Sequence, residues 1–353
     1  MNTNRKPQPN TNSNSETETV APSRSNWERL LQNLALSGVV FLLCIVVFEI
    51  VLRFCGYGSV EIYQPDPKLY WKLKPNQDCH TKVGHEPVHI NSQGTRGSEF
   101  QIEKSPRTIR ILSLGDSRTF GWGLSDEETY SRRLERLLQS HVGSGKKIEV
   151  INAGVNAWSY PQMLIYFRDF GLHYHPDFVI LGDANLWTQF SENNSPEFVK
   201  SFMWRVRLKN FLRHFAIYQF VVEQELRQFY ERERVKFIPV DPRQDALFKK
   251  EQQKDPDMLF RSSIDGVCQT AASNRIKTVL LFLPAEDTTS SDILKIKQKA
   301  HEKWGVPLVD VTSEVRPLGK ALYLDADPVH FNARGNEIIA NQLFKTITNS
   351  MTP

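Results

Sequence analysis

The stretch RILSLGDSRTFGWG, Arg110 to Gly123, carries an aliphatic run straight into a glycine-flanked acid and a hydroxyl. A serine at the carboxyl end of a strand has its hydroxyl in the open, and the Ser117 amide lies near the start of the next helix, where donors face incoming negative charge. A serine alone is a poor nucleophile; it needs a base that accepts its proton and a carboxylate that orients the base. The stretch LDADPVHFNARGNEIIA supplies both, with Asp327 three residues before His330 in a loop ahead of the last helix. A short turn can fold that carboxylate onto one ring nitrogen, although a solvated acid and a capping histidine account equally well for D-x-x-H taken alone. Attack on an ester also requires donors where the oxyanion forms. VINAGVNAW brings Gly154 to the end of a second strand, where its backbone can present an amide, and VILGDANLW brings Asn185, with a side-chain amide, to the end of a third. Singly these are turn residues; together, at successive strand ends, they form a constellation.

Rival chemistries fail on spacing. No G-x-x-x-x-G-K-[ST] is present, since Trp122 follows Gly121, and Gly121-x-Gly123 lacks the third glycine of a dinucleotide fingerprint. The formal charge of +4 is small and its lysines and arginines are scattered among acids, so no nucleic-acid partner is expected. His80, His85 and His89 lie before the first core strand without convincing ligand spacing; neither a metal nor another cofactor is expected. Asp116 reads as a turn-holding acid, and His173 and His175 as the end of a helix and the approach to a strand. Cys79 and Cys268 would suit a disulfide in an oxidising compartment, a pairing the spacing leaves open.

These residues need a scaffold that brings strand ends together. From Thr108 onward, aliphatic strings (TIRILSL, KIEVINA, DFVILG, KTVLLFL, PLVDV) alternate with amphipathic stretches. That order implies an α/β fold: a five-stranded parallel, flavodoxin-like sheet between two helical layers, with functional residues beyond the carboxyl ends of the strands. Ser125 with Glu128 reads as a capping box that starts the first helix.

Four further segments are expected. Residues 1–33, rich in Asn, Thr, Ser and Pro, form a disordered tail. Residues 34–53, LALSGVVFLLCIVVFEIVLR, match the ~20 apolar residues of a bilayer-spanning helix, with Glu49 near one end. No cleavage site follows, so an uncleaved single-pass anchor is expected, with the N-terminus inside and the body outside the cytoplasm. Residues 54–104 form an extended lead-in, and residues 105–350 the main domain. A helical insertion at about 188–256 interrupts the alternation, with Trp204, Leu208, Phe211, Phe215, Tyr218, Val222, Leu226 and Phe229 on one stripe. The plain expectation is a cap packed over the sheet; its basic first half and aromatic content also fit a lipid-facing lid.

GDSRTFG around Ser117, NAG at Gly154, LGDAN at Asn185 and DPVH at His330 resemble, in order, the four blocks of the SGNH (GDSL-type) hydrolases, over roughly Ile90 to Ile347 apart from the insertion. The resemblance implies a three-layer α/β/α hydrolase with Ser117 as nucleophile, His330 as base and Asp327 as orienting acid. Its oxyanion hole would comprise the amides of Ser117 and Gly154 and the side chain of Asn185. The anchor and the INSQGTRG lead-in look like membrane-tethered bacterial members, which implies an acyl-ester substrate, such as O-acetyl groups on cell-envelope glycans. Two departures stand out. The usual third block is G-x-N-D, so Gly182-Asp183-Ala184-Asn185 either carries one extra residue before the asparagine or has Ala184 in its place. Arg118 replaces a small or apolar residue. Three activities stay open on this reading: ester hydrolysis, O-acyl transfer to an extracytoplasmic polysaccharide, and glycan binding without catalysis on a decayed scaffold. Oligomeric state is left open.

Overall fold

Strand β5 (Thr108–Gly115) is buried almost from end to end because both its faces are covered. Leu112 and Leu114 share one core with Met163 and Phe167 of α4 (Tyr160–Asp169); Ile111 shares the other with Tyr130, Leu134 and Leu138 of α3 (Tyr130–Val142). The period of two recurs in β7 (Phe178–Leu181), where Val179 and Leu181 join the first core and Phe178 and Ile180 the second. Two apolar faces on each strand are what a sheet between helical layers demands.

The computed structural model describes residues 26–184, 190, 194–233, 256–286, 292–325 and 327–351. Its central sheet has five parallel strands in the order β6–β5–β7–β8–β9, with β6 at Lys147–Gly154, β8 at Lys277–Phe282 and β9 at Leu308–Asp310. The chain passes from β5 to β6 on one side and then crosses to β7 on the other, which opens a crevice at the carboxyl ends of β5 and β7. Gly115 pairs with Gly154 and Leu114 with Leu181, so these strand ends are level. The expected flavodoxin-like sheet is therefore present, closed on one face by α3 and α10 (Ala333–Met351) and on the other by α4, α7 (Pro256–Ser273) and α8 (Asp292–Trp304).

Several boundaries differ from the sequence expectations. The Ser125–Glu128 capping box exists, but it closes a single 3₁₀ turn at Asp126–Glu128; α3 starts at Tyr130, capped by the Thr129 side chain. The lead-in is more structured than an extended segment. It holds two antiparallel hairpins, β1 (Tyr63–Asp66) with β2 (Tyr70–Leu73) and β3 (Gln77–His80) with β4 (Pro87–Ile90), and an Arg96–Asn152 bridge attaches it to β6. Cys79 and Cys268 are both buried and are not joined; burial pushes each thiol up to about 12.

Among the described residues the insertion holds two helices, α5 (Pro196–Leu212) and α6 (Ala216–Glu233), broken at Arg213–Phe215, so no single stripe runs through both. Nor does the first half of the expected stripe, Trp204 to Phe215, pack inward. Phe198, Phe202 and Val206 form the packed face of α5, where Phe202 meets Phe190 at 4.5 Å and Trp71 at 6.2 Å between ring centroids. Trp204, Leu208, Phe211 and Phe215 lie outside. Both faces of α5 are apolar, and the hairpin β1–β2 takes the one that bears Phe198 and Phe202.

The chain divides after Phe48 into two compact units. Helix α1 runs over Asn26–Phe54, so residues 26–33 are helical where a tail was expected; residues 1–25 lie outside the described residues. By length and composition α1 is the one helix among the described residues that could cross a membrane.

Candidate active site

Beyond β5 the chain turns at Asp116 into a single helical turn, α2 (Ser117–Phe120), with Ser117 as its first residue. Asp116 is its N-cap: Oδ1 accepts the Arg118 amide at 2.9 Å, so this acid holds the turn. The turn ends at Gly121, whose φ of 93° is left-handed, and the lead-in clamps the loop beyond it. Buried Arg96 donates to the carbonyls of Phe120 (2.9 Å), Gly121 (2.8 Å) and Leu124 (2.6 Å) and pairs with Asp126 at 2.6 Å.

At the other end of the chain, the loop before α10 is folded onto itself by Asp327. Its Oδ1 accepts the amides of Val329 (2.9 Å) and His330 (3.2 Å), while Oδ2 lies 2.7 Å from His330 Nδ1. His330 Nε2 lies 2.7 Å from Ser117 Oγ. Three residues separated by up to 213 positions thus make one hydrogen-bonded line. Burial alone would raise the Asp327 carboxyl, but His330 and the two amides outweigh it and hold the group below the ordinary carboxylate range. Trp122 stacks on the His330 ring at 5.6 Å, and Lys82 of the lead-in lies 5.2 Å from the Trp122 centroid. Burial pulls Lys82 down to about 8, with the carboxylate of Glu61, 3.1 Å away, working against the fall.

The oxyanion donors expected from the sequence fare differently. Ser117 N–H opens the first turn of α2, and among the described residues no acceptor is bound to it. Gly154 N–H donates to Asn152 Oδ1 at 3.0 Å. Glycine is needed there for another reason: a Cβ would come within 2.2 Å of Phe120 N, so β6 can approach α2 only without a side chain. Three residues on, Ala157 holds a left-handed φ of 65°, strain of the kind found where a loop is shaped for function. Asn185 lies outside the described residues.

Behind the serine sits a charge set that no motif predicted as a unit. Arg118 pairs with Asp116 at 2.8 Å, reaches Asp183 at 3.5 Å and donates to the carbonyls of Leu283 (3.1 Å) and Ala184 (3.2 Å). Asp183 accepts Lys297 Nζ at 2.5 Å and the Leu283 amide at 2.6 Å. Two acids balance two bases, all with side chains less than a seventh exposed. Burial depresses both cations; for Arg118 the carboxylates of Asp116 and Asp183 more than reverse this, whereas the Lys297 ammonium stays below its usual range. Arg118 therefore ties the Ser117 turn to the third strand end, where Ala184 and Asp183 lie.

Two substitutions test this scaffold. Lys297→Met leaves two buried acids against one base and is expected to cost about 3–5 kcal/mol of unfolding free energy, read from the urea midpoint. Gly154→Ala drives a methyl group into α2. The expected cost is ~1–3 kcal/mol of stability together with a fall of about 10²-fold in the reactivity of Ser117, because α2 must move by about 1 Å. Reaction rate with a serine-directed phosphonate, compared with melting temperature, separates the two effects.

Two histidines of the lead-in pair with acids: His85 meets Glu223 at 3.0 Å and His89 meets Asp78 at 2.7 Å. No group of three or more His, Cys, Asp or Glu among the described residues is placed to hold a metal.

No family model matches the chain, and no curated protein matches it. Solved structures do. A two-domain esterase active on acetylated mannans is 14% identical, with a TM-score of 0.44 over 70% of this chain and 50% of its own, so the chain spans half the length of that protein. A psychrotrophic esterase from Pseudoalteromonas sp. is 14% identical (TM-score 0.42; 69% of this chain, 99% of that one). A lipase/acylhydrolase from Enterococcus faecalis is 15% identical (TM-score 0.42; 69% and 98%). Each is a likeness of fold alone.

Proposed function

We propose that this chain is a membrane-anchored serine esterase of SGNH type that removes acyl groups, O-acetyl above all, from glycans of a bacterial envelope. The observation that supports it best is the line Ser117 Oγ, His330 Nε2, His330 Nδ1, Asp327 Oδ2, with 2.7 Å at both hydrogen bonds. In the first step Ser117 Oγ bonds to the ester carbonyl carbon while its proton passes to His330 Nε2. The oxyanion takes a hydrogen bond from the Ser117 amide. The carbon–oxygen bond to the alcohol then breaks, His330 returns the proton to that oxygen, and an acyl-serine remains. Water repeats the sequence, losing a proton to His330 and releasing the acid. Asp327 keeps the ring in the tautomer whose Nε2 accepts.

The Trp122 ring on one face of His330 restricts how the imidazole can turn away. A helix of 29 residues able to span a bilayer supports the anchor. The test is reaction of the full chain with a fluorophosphonate followed by peptide mass spectrometry. Modification confined to the peptide that carries Ser117 is expected; a folded protein that stays unmodified, or is modified elsewhere, refutes the proposal.

A further inference from the structure

Helix α5 leaves its larger apolar face uncovered. At 100° per residue, Trp204, Leu208 and Phe211 lie on one line, opposite the packed face of Phe198, Phe202 and Val206, and Phe215 follows in the break after the helix. They are 61%, 41%, 61% and 44% exposed. Exposed Lys200 and Arg207 flank this line, and the helix carries four Lys or Arg against one acid. Aromatic and aliphatic groups on one face with cations at its margin are the pattern of a helix that lies in a lipid interface.

A second, independent feature sets the level of this face. The break that ends α5 is bound to the last turns of α1: both carboxylate oxygens of Glu49 accept the first amides of α6, Ala216 at 2.9 Å and Ile217 at 3.0 Å. Arg53 donates to the His214 carbonyl at 2.6 Å and pairs with Glu49 at 2.7 Å. Glu49 is the one acid in the apolar run of residues 34–52, so it marks where that run meets polar surroundings. Its hydrogen bonds hold the end of the α5 stripe at the same margin.

From these observations we infer that the Trp204–Phe211 face of α5, with Phe215 just beyond it, seats in the headgroup and upper acyl region of a bilayer, with Lys200 and Arg207 on anionic headgroups. This rests on the reading of α1 as a membrane span. The chain would then touch the membrane at two places, one that crosses it and one that lies on it.

The experiment uses the full chain reconstituted in vesicles of phosphatidylcholine and phosphatidylglycerol, with and without acyl chains brominated near the headgroup. Trp204 is one of seven tryptophans, so its signal is the emission lost in Trp204→Phe. Expected is a blue-shifted Trp204 component, most of which is quenched by the brominated lipid. Retention of the protein in the membrane after alkaline carbonate, with a Trp204 component emitting as in water or unquenched, overturns the inference and leaves the anchor standing. Release by carbonate removes the anchor reading and this inference with it. A Trp204 component shielded from bromine and from aqueous iodide alike, with chains cross-linked in pairs, shows a second copy on the stripe and overturns it too.

Discussion

Ser117→Ala is expected to lower ester turnover by about 10⁴–10⁶-fold while leaving the melting temperature nearly unchanged. The hydroxyl is the atom that would bond to the acyl carbon, and it lies 2.7 Å from the nitrogen that would take its proton. In the proposed route the acyl group rests on Ser117 Oγ, so the substitution removes the acyl-enzyme. The packing that holds α2 does not involve the hydroxyl: the turn is kept by Asp116, by Arg118 and by the Arg96 clamp on the carbonyls beyond it. Turnover of p-nitrophenyl acetate, with calorimetry on the same samples, checks both halves. Full activity in a pure Ser117→Ala preparation would remove the serine from the reaction. An inactive wild type that binds acetylated glycan as tightly as the variant would favour a binding protein on the same scaffold. Release of free acetate, compared with formation of a new sugar ester, distinguishes hydrolysis from transfer, since the two differ only in the acceptor that attacks the acyl-serine.

The meeting of Ser117, Asp327 and His330 is legible in the sequence because each lies in a short polar loop directly beyond an aliphatic run or before the last helix, and a parallel sheet levels such loops at one edge. The sheet itself is legible because both faces of its inner strands are buried, which leaves unbroken apolar strings. Gly154 ends β6 where its motif expects it. A second demand on it is hidden from the sequence, because the 2.2 Å approach of a Cβ to Phe120 N is a contact with another segment. The break between α5 and α6 is hidden for a similar reason: the carboxylate that satisfies the new helix start comes from Glu49, 167 positions away. The choice of packed face on α5 is hidden because aromatic groups occupy both faces. Arg96 and Lys82, in a segment whose sequence suggests a mere approach, prove to hold the loop after the serine and the ring against the histidine. One further signal lies in the sequence itself: a cation directly after the serine, Arg118, with the acid that it pairs with, Asp116, directly before it.

Asp327→Asn is expected to cut turnover by ~10⁴-fold with little change in ester binding, and the loop geometry explains why so small a change is so costly. Asp327 Oδ1 is held by the amides of Val329 and His330, which only an acceptor can satisfy. An asparagine must therefore keep its carbonyl oxygen there and turn its NH₂ group to His330 Nδ1. That nitrogen becomes an acceptor, the ring proton moves to Nε2, and the nitrogen facing Ser117 can no longer take the serine proton. The same substitution has a signature in stability that a disturbed fold would not show. The native carboxyl lies below its ordinary value of 3.8, so its contribution is complete above that pH and is lost as pH falls through the lower, folded value. An asparagine has no such titration. The gap in melting temperature between the two proteins is thus expected to be constant from about pH 6 to about pH 4 and to close on further acidification. A gap that persists unchanged to about pH 2 would mean that the Asp327 charge does not stabilise the loop, and the orienting role assigned to it would fail with that result.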